Sequence, residues 1–203
     1  MNRIKVLLVV GAALLAFAGA QAQLLPSIRI RGSITAFDGH ELQVKTRDGK
    51  DLKVGIGDAT KISMLTPLKL KDIKQGSFVG VTAIQHGPGT PLQAREVHLF
   101  TPAQRGTGEG HYDWDLEPGS SMTNANVDAI VSTNNGKELK LSYKGGSQQI
   151  LVTGDVPIVA IKPADKSLLQ AGAQIFCIAQ QAADGSLTAQ HISVGEHGLK
   201  PPM

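Results

Sequence analysis

The sequence predicts a mainly β protein: two tandem small antiparallel β-barrels, each with one short helix, joined by an irregular connector. Three observations carry that expectation. A segment repeats at an offset of 95 to 98 residues, apolar residues alternate with period two inside each copy, and a Gly- and Pro-rich stretch separates the copies.

Before the first copy lies an export-type leader. Arg3 and Lys5 precede an apolar run from Val6 to Ala20, and Ala20-Gln21-Ala22 offers small residues to a signal peptidase. Residues 1–22 are read as a signal peptide, with Gln23 as the mature start. The run is shorter than the roughly 20 residues that a spanning helix needs, so no membrane span is expected after cleavage. No Cys sits at the cleavage site to carry a lipid anchor. The expected location is the periplasm, or secretion. The whole chain has 20 basic and 17 acidic residues, and losing Arg3 and Lys5 leaves a net charge of +1. Nucleic acid and anionic membranes call for clustered Lys and Arg, so neither is an expected partner. Cys177 is the single cysteine, which excludes an internal disulfide; within "AQIFCIAQ" it reads as a small buried apolar residue of a strand.

The repeat sets the architecture. Ile34 aligns with Ile130, Leu42 with Leu139, Val44 with Leu141, Val54 with Val152, Gly76 with Gly172, Ala94 with Ala189 and Val97 with Ile192. The copies are placed at residues 27–100 and 124–195, with a connector at 101–123 and a tail at 196–203. Within them "ELQVKT", "DLKVGI" and "ELKLSY" alternate between turn pairs such as Asp38-Gly39, Asp48-Gly49 and Asn135-Gly136, which suit tight hairpins. "LKLKDIKQG" and "ADKSLLQAG" each read as one short helix ended by Gly76 or Gly172. Three strands, a short helix and two further strands is the order of an OB-like barrel.

Both copies resemble the exported bacterial Domain of Unknown Function 5666. The resemblance rests on the opening "GSITAFDGHELQV", the middle "LKLKDIKQGSFVGV" and the closing "PLQAREV", which "GSLTAQHI" echoes in the second copy. It implies a small β-barrel in an exported protein, and no activity. Asp128-Ala129 replaces the opening Gly-Ser in the second copy, so the likeness is weaker there.

The connector, "TPAQRGTGEGHYDWDLEPGSSMT", holds the only Trp and one of two Tyr residues. "HYDWDLE" alternates, so an extended backbone sets Tyr112, Trp114 and Leu116 on one face and His111, Asp113, Asp115 and Glu117 on the other. Two uses of the aromatic face follow: a dock in the crevice between barrels, or a platform on which a sugar ring or a peptide side chain stacks. His111, Asp113 and Asp115 are metal-ligand candidates, although neither calcium nor zinc is fully coordinated by residues spaced along one strand. Arg105 is placed to pair with Glu109, Asp113 or Asp115. The remaining histidines, His40, His86, His98, His191 and His197, lack ligand spacing and read as solvated.

"RGTGEG" has neither the spacing nor the helix of a phosphate loop. Charge is uneven: +4 on the first copy, −3 on the connector, and balanced beyond it. An acidic strap would therefore be drawn to the first copy. A polyanion face built from Lys45, Lys53, Lys69, Lys71 and Lys74 is the rival reading, but it lacks interleaved aromatics. There is no Gly-x-Ser-x-Gly, no His-Glu-x-x-His and no paired cysteine. The sequence thus reads as a non-catalytic binding or scaffold protein with no cofactor. Its ligand-binding candidates are Arg105, His111, Tyr112, Asp113, Trp114 and Asp115, for a periplasmic protein, a glycan or a metal ion. The alternative is a metal-binding exported protein using His111, Asp113 and Asp115, and a hydrolase using His111 and Asp113 is the weakest of the readings.

Overall fold

The computed structural model describes residues 26–203; the leader and its cleavage site lie outside them. The fold is mainly β. Six strands precede the connector: β1 (Ser27–Phe37), β2 (Glu41–Thr46), β3 (Asp51–Gly55), β4 (Lys61–Leu68), β5 (Phe78–Ile84) and β6 (Leu92–Leu99). A short strand, β7 (Gly110–Asp113), lies inside it. Six more follow: β8 (Ser120–Thr133), β9 (Gly136–Tyr143), β10 (Gly146–Val152), β11 (Ile158–Ala164), β12 (Gln174–Gln181) and β13 (Leu187–Gly195). Among the described residues no helix is long and apolar enough to cross a membrane.

Alternation builds the strands as expected. On β2 Leu42 and Val44 are buried while their neighbours face out, and Leu139 and Leu141 do the same on β9. At the first hairpin, Asp38 Oδ1 accepts the backbone N–H groups of His40 and Glu41 at 2.8 and 2.7 Å, and Gly39 takes φ +100°. Glycine tolerates that angle because it has no Cβ.

The expected helices shrink to single 3-10 turns, Leu70–Asp72 and Lys166–Leu168. Their backbones are drawn into the sheet too soon for a longer helix to form. Gly76 donates its N–H to Val127 and Gly172 donates to Ile34, both at 2.8 Å, so each glycine ties a turn to a strand rather than capping a helix.

The strands do not pair into two units that are separate along the chain. All thirteen strands join one sheet, which as a whole is not a closed barrel. Its order is β10-β9-β8-β5-β6-β11-β4-β13-β12-β1-β2-β3, with β7 added beside β8. Strand β5 of the first half lies against β8 of the second, and β12 of the second lies against β1 of the first. At the centre β4 runs antiparallel to β11, with Leu65 opposite Ile161. The outer strands turn back onto the interior: β10 meets β6 at Ile150–Leu92, and β3 meets β13 at Gly55–Thr188.

The physical cause is the pair β4 and β11, which the three-plus-two strand count does not contain. At about 3.3 Å per residue a strand of this length carries the chain roughly 25 Å, enough to leave its own half. The core follows the exchange. One apolar cluster joins Ile34, Leu42 and Val44 to Ile175, Cys177 and Ile192; a second joins Val79, Val81 and Val97 to Val127, Leu139 and Ile150. A third, at the centre, contains Leu65, Val159, Ile161, Phe176 and Met203, with Trp114 and Phe100 packed on it.

Candidate functional site

The connector is less irregular than expected. β7 pairs antiparallel with the start of β8, Tyr112 opposite Met122 and Asp113 opposite Ser121. Strand geometry ends at Asp113: the Trp114 N–H donates to Ser120 O at 2.8 Å, closing a turn that contains Leu116 and Glu117. Tyr112 and Trp114 do come together, with ring centroids 6.1 Å apart, and Trp114 packs 6.3 Å from Phe176 of β12. The Arg29 guanidinium covers the indole face, 3.9 Å from its centroid.

The acidic residues take arginine partners from the first half. Asp115 accepts from Arg31 at 2.7 Å and lies 3.6 Å from Arg29, while Glu117 pairs with Arg95 at 2.5 Å. Partial burial works against ionising Asp115, but the hydrogen bond and charge of Arg31, with Arg29, outweigh it and hold the carboxyl below the usual carboxylate range. Arg105 makes none of the expected acidic pairs; its guanidinium donates to Asn126 and, at 2.6 Å, to Gly76 O. His111 Nδ1 shares a 2.8 Å hydrogen bond with Thr123 Oγ1, and its ring stacks on Tyr143. Asp113 is exposed. His111, Asp113 and Asp115 thus do not assemble into a metal centre, and among the described residues no three His, Cys, Asp or Glu side chains converge as ligands.

Beneath the connector turn lies a cavity of about 350 Å³. Phe100, Tyr112, Trp114, Met122, Ile161 and Phe176 supply its apolar wall, and Arg29, His98, Asn124, His191 and Ser193 supply polar groups. Both halves and the connector contribute. Its volume falls within the range of small-molecule sites, and so does its make-up of apolar walls with a few convergent polar groups.

The polar lining continues into a buried network. Thr82 Oγ1 donates to Glu96 Oε1 at 2.8 Å, and His98 Nδ1 lies 3.1 and 3.2 Å from the two Glu96 oxygens. Glu96 is fully buried and His98 nearly so. His98 is therefore not solvated, contrary to expectation. Gly80 of β5 sits opposite both His98 and Asn124, and a Cβ there would meet His98 Nε2 at 1.9 Å and Asn124 Oδ1 at 2.4 Å. The two side chains close over a bare Cα.

Asn124 Nδ2 donates to Thr107 O, Gly108 O and the Tyr112 hydroxyl at 3.3, 3.2 and 3.1 Å. Burial raises the Tyr112 pKa, against the opposing charge of Arg29, although the residue stays partly exposed. On the far wall, Ser63 Oγ lies 3.0 Å from both His191 Nε2 and Ser193 Oγ, and burial, helped by Lys61, lowers the His191 pKa. His191 is half-buried rather than solvated.

Of the residues singled out from sequence, Tyr112 and Trp114 line the cavity, Asp115 holds the turn in place, and Arg105 and His111 brace neighbouring strands. Glu96, His98, Asn124 and Arg29 gave no sequence signal beyond a Glu-x-His spacing in β6. Compared with known proteins, the chain matches no family model, no curated protein and no solved structure.

Proposed function

We propose that the protein is an exported, non-catalytic binding protein that holds a small amphipathic molecule in the cavity beneath the Trp114 turn. The observation that carries the reading is the cavity itself: an aromatic-walled space with converging polar side chains, assembled from both halves and the connector. The connector then acts as dock and platform at once. Its acidic residues grip Arg29, Arg31 and Arg95, and that grip sets the Tyr112 and Trp114 rings into the wall.

The leader at residues 1–22 supports export to the periplasm. A duplicated OB-like unit, akin to the Domain of Unknown Function 5666, accounts for the repeat in the sequence. The matching order of elements in the two halves and the paired Gly76–Val127 and Gly172–Ile34 bonds support it. In this reading the two units have exchanged their last two strands, and the cavity lies where the exchange brings them together.

The test is thermal denaturation of the purified protein against a panel of small aromatic and apolar molecules. A ligand at one hundred times its Kd stabilises the folded state by about 2.7 kcal/mol. For a chain of this size that raises Tm by roughly 5–10 °C. Met122→Trp, which fills the cavity, abolishes the shift while the protein stays folded. A panel without a single shift, or a shift that survives Met122→Trp, overturns the reading.

A further inference from the structure

The cavity carries one permanent charge in its lining, and it is positive. Arg29 is the single Lys or Arg among the lining side chains, and none of them is Asp or Glu. At neutral pH His191 and Tyr112 stay uncharged, because burial lowers the first pKa and raises the second. Glu96 lies behind the wall, its oxygens engaged by Thr82 and His98.

Arg29 also keeps its donors. Its guanidinium lies over the Trp114 indole, 3.9 Å from the ring centroid, and makes no hydrogen bond among the described residues. Asp115 Oδ2 stands 3.6 Å away, too far to accept a proton, while the other oxygen of that carboxylate takes its 2.7 Å bond from Arg31. A guanidinium held through its face still presents N–H groups around its edge, in the fork that matches a carboxylate. The surroundings strengthen the positive field. Arg29, Arg31 and Arg47 border a neighbouring groove, where Asp48 is already paired with Lys50. Arg47 donates to the Pro201 carbonyl and has no acidic partner among the described residues, so three arginines share the one Asp115 carboxylate.

The apolar wall begins beside this charge. On the β1–β12 ladder Arg29 is opposite Ile178 and Arg31 opposite Phe176, and the Phe176 ring lies 6.3 Å from Trp114. A molecule within reach of the Arg29 edge therefore lays its body against Trp114, Phe176 and Ile178. Little of that wall would solvate a second charge, and stripping a dianion of water costs more than one partly shared cation returns. Resting on the cavity reading above, we propose that the ligand is an amphipathic aromatic monocarboxylate, its carboxylate held by Arg29 and its ring by the apolar wall.

Three probes of one shape test this: 2-naphthoate, 2-naphthamide and 2-naphthylmethanol, titrated into the purified protein by calorimetry. The naphthoate is expected to bind about tenfold more tightly than the two neutral probes. Arg29→Met, which keeps a stem over Trp114 but removes the guanidinium, brings the naphthoate down to the level of the neutral probes and leaves those within about twofold. If Arg29→Met does not fold, Arg29→Lys decides: it keeps the charge beside Asp115 but loses the fork, and weakens the naphthoate about fivefold. Met122→Trp abolishes binding of all three. Equal affinity for the three probes, or a preference for the amide, overturns the assignment and leaves the cavity reading standing. So does naphthoate binding that neither Arg29 variant weakens. Naphthoate binding that survives Met122→Trp lies outside the cavity and overturns the assignment as well. If none of the three binds, both readings fall.

Discussion

Gly80→Ala tests the geometry of the site through the stability of the fold. Gly80 lies inside a strand and not at a positive φ, so its backbone suits alanine; what it lacks is space. The added Cβ would sit 1.9 Å from His98 Nε2, 2.2 Å from His98 Cε1 and 2.4 Å from Asn124 Oδ1, where ordinary contacts need about 3.5 Å. Neither side chain can simply swing away, because His98 is held by Glu96 and Asn124 by three acceptors. Overpacking of this kind costs about 1–3 kcal/mol. Removing glycine's freedom in the unfolded chain offsets about 0.4–1 kcal/mol of that. The net expectation is a loss of about 1–2 kcal/mol, or roughly 2–8 °C in Tm. Urea titration followed by the emission of the single Trp measures it, with Gly57→Ala as the control, since nothing lies within 4 Å of a Cβ there. A Gly80→Ala protein as stable as the parent would show that His98 and Asn124 do not close over Gly80.

Three further outcomes are expected. Glu96→Leu strands the Thr82 hydroxyl and His98 Nδ1 in the interior and costs about 1–3 kcal/mol, read from urea midpoints; a neutral result would place Glu96 in solvent. His191 has a lowered pKa in the folded state, so its contribution is full above its unfolded value of about 6.5 and is lost as pH falls below it. Stability should therefore decline between pH 7 and pH 5, and His191→Gln should flatten that decline. Asp115 follows the same sign in a lower window, holding the connector turn above about pH 4 and releasing it, with a red shift of Trp114 emission, as pH drops through its lowered value. Burial pushes the Cys177 thiol up to about 12, so iodoacetamide at pH 8 should leave the native protein unlabelled and label it fully in urea.

The hairpins were legible because each rests on local chemistry: a buried face every second residue, and an Asp-Gly pair to turn the chain. The exchange of strands between halves was not. Strands β4 and β11 each carry a proline, Pro67 and Pro163, and a proline argues against a central strand. Here both fall outside the stretch paired on the second side. β13 pairs with β4 only as far as Leu65, and β6 pairs with β11 only as far as Ala160. The missing N–H can therefore face an edge where no neighbouring strand asks for a donor. That compatibility depends on where a distant strand stops, which no local pattern records.

The site was half legible for a related reason. The connector aromatics stood out through composition, since a lone Trp beside a Tyr in an otherwise polar stretch needs a surface to cover. The network beneath them was concealed by a change of phase within β6. Ala94 and Val97 both belong to one core, so Glu96 and His98 read as the outward, solvated face of that strand. A bulge at Arg95, where the register against β5 shifts, produces this odd spacing and sets the two residues against the opposite side of the sheet. On an exposed sheet that side would be wet. Here the connector strand and the strands brought in from the other half cover it, turning a solvated Glu-x-His into a buried network at the cavity wall. The polar lining of the cavity therefore depends on strands that meet only in the folded chain, rather than on any local motif.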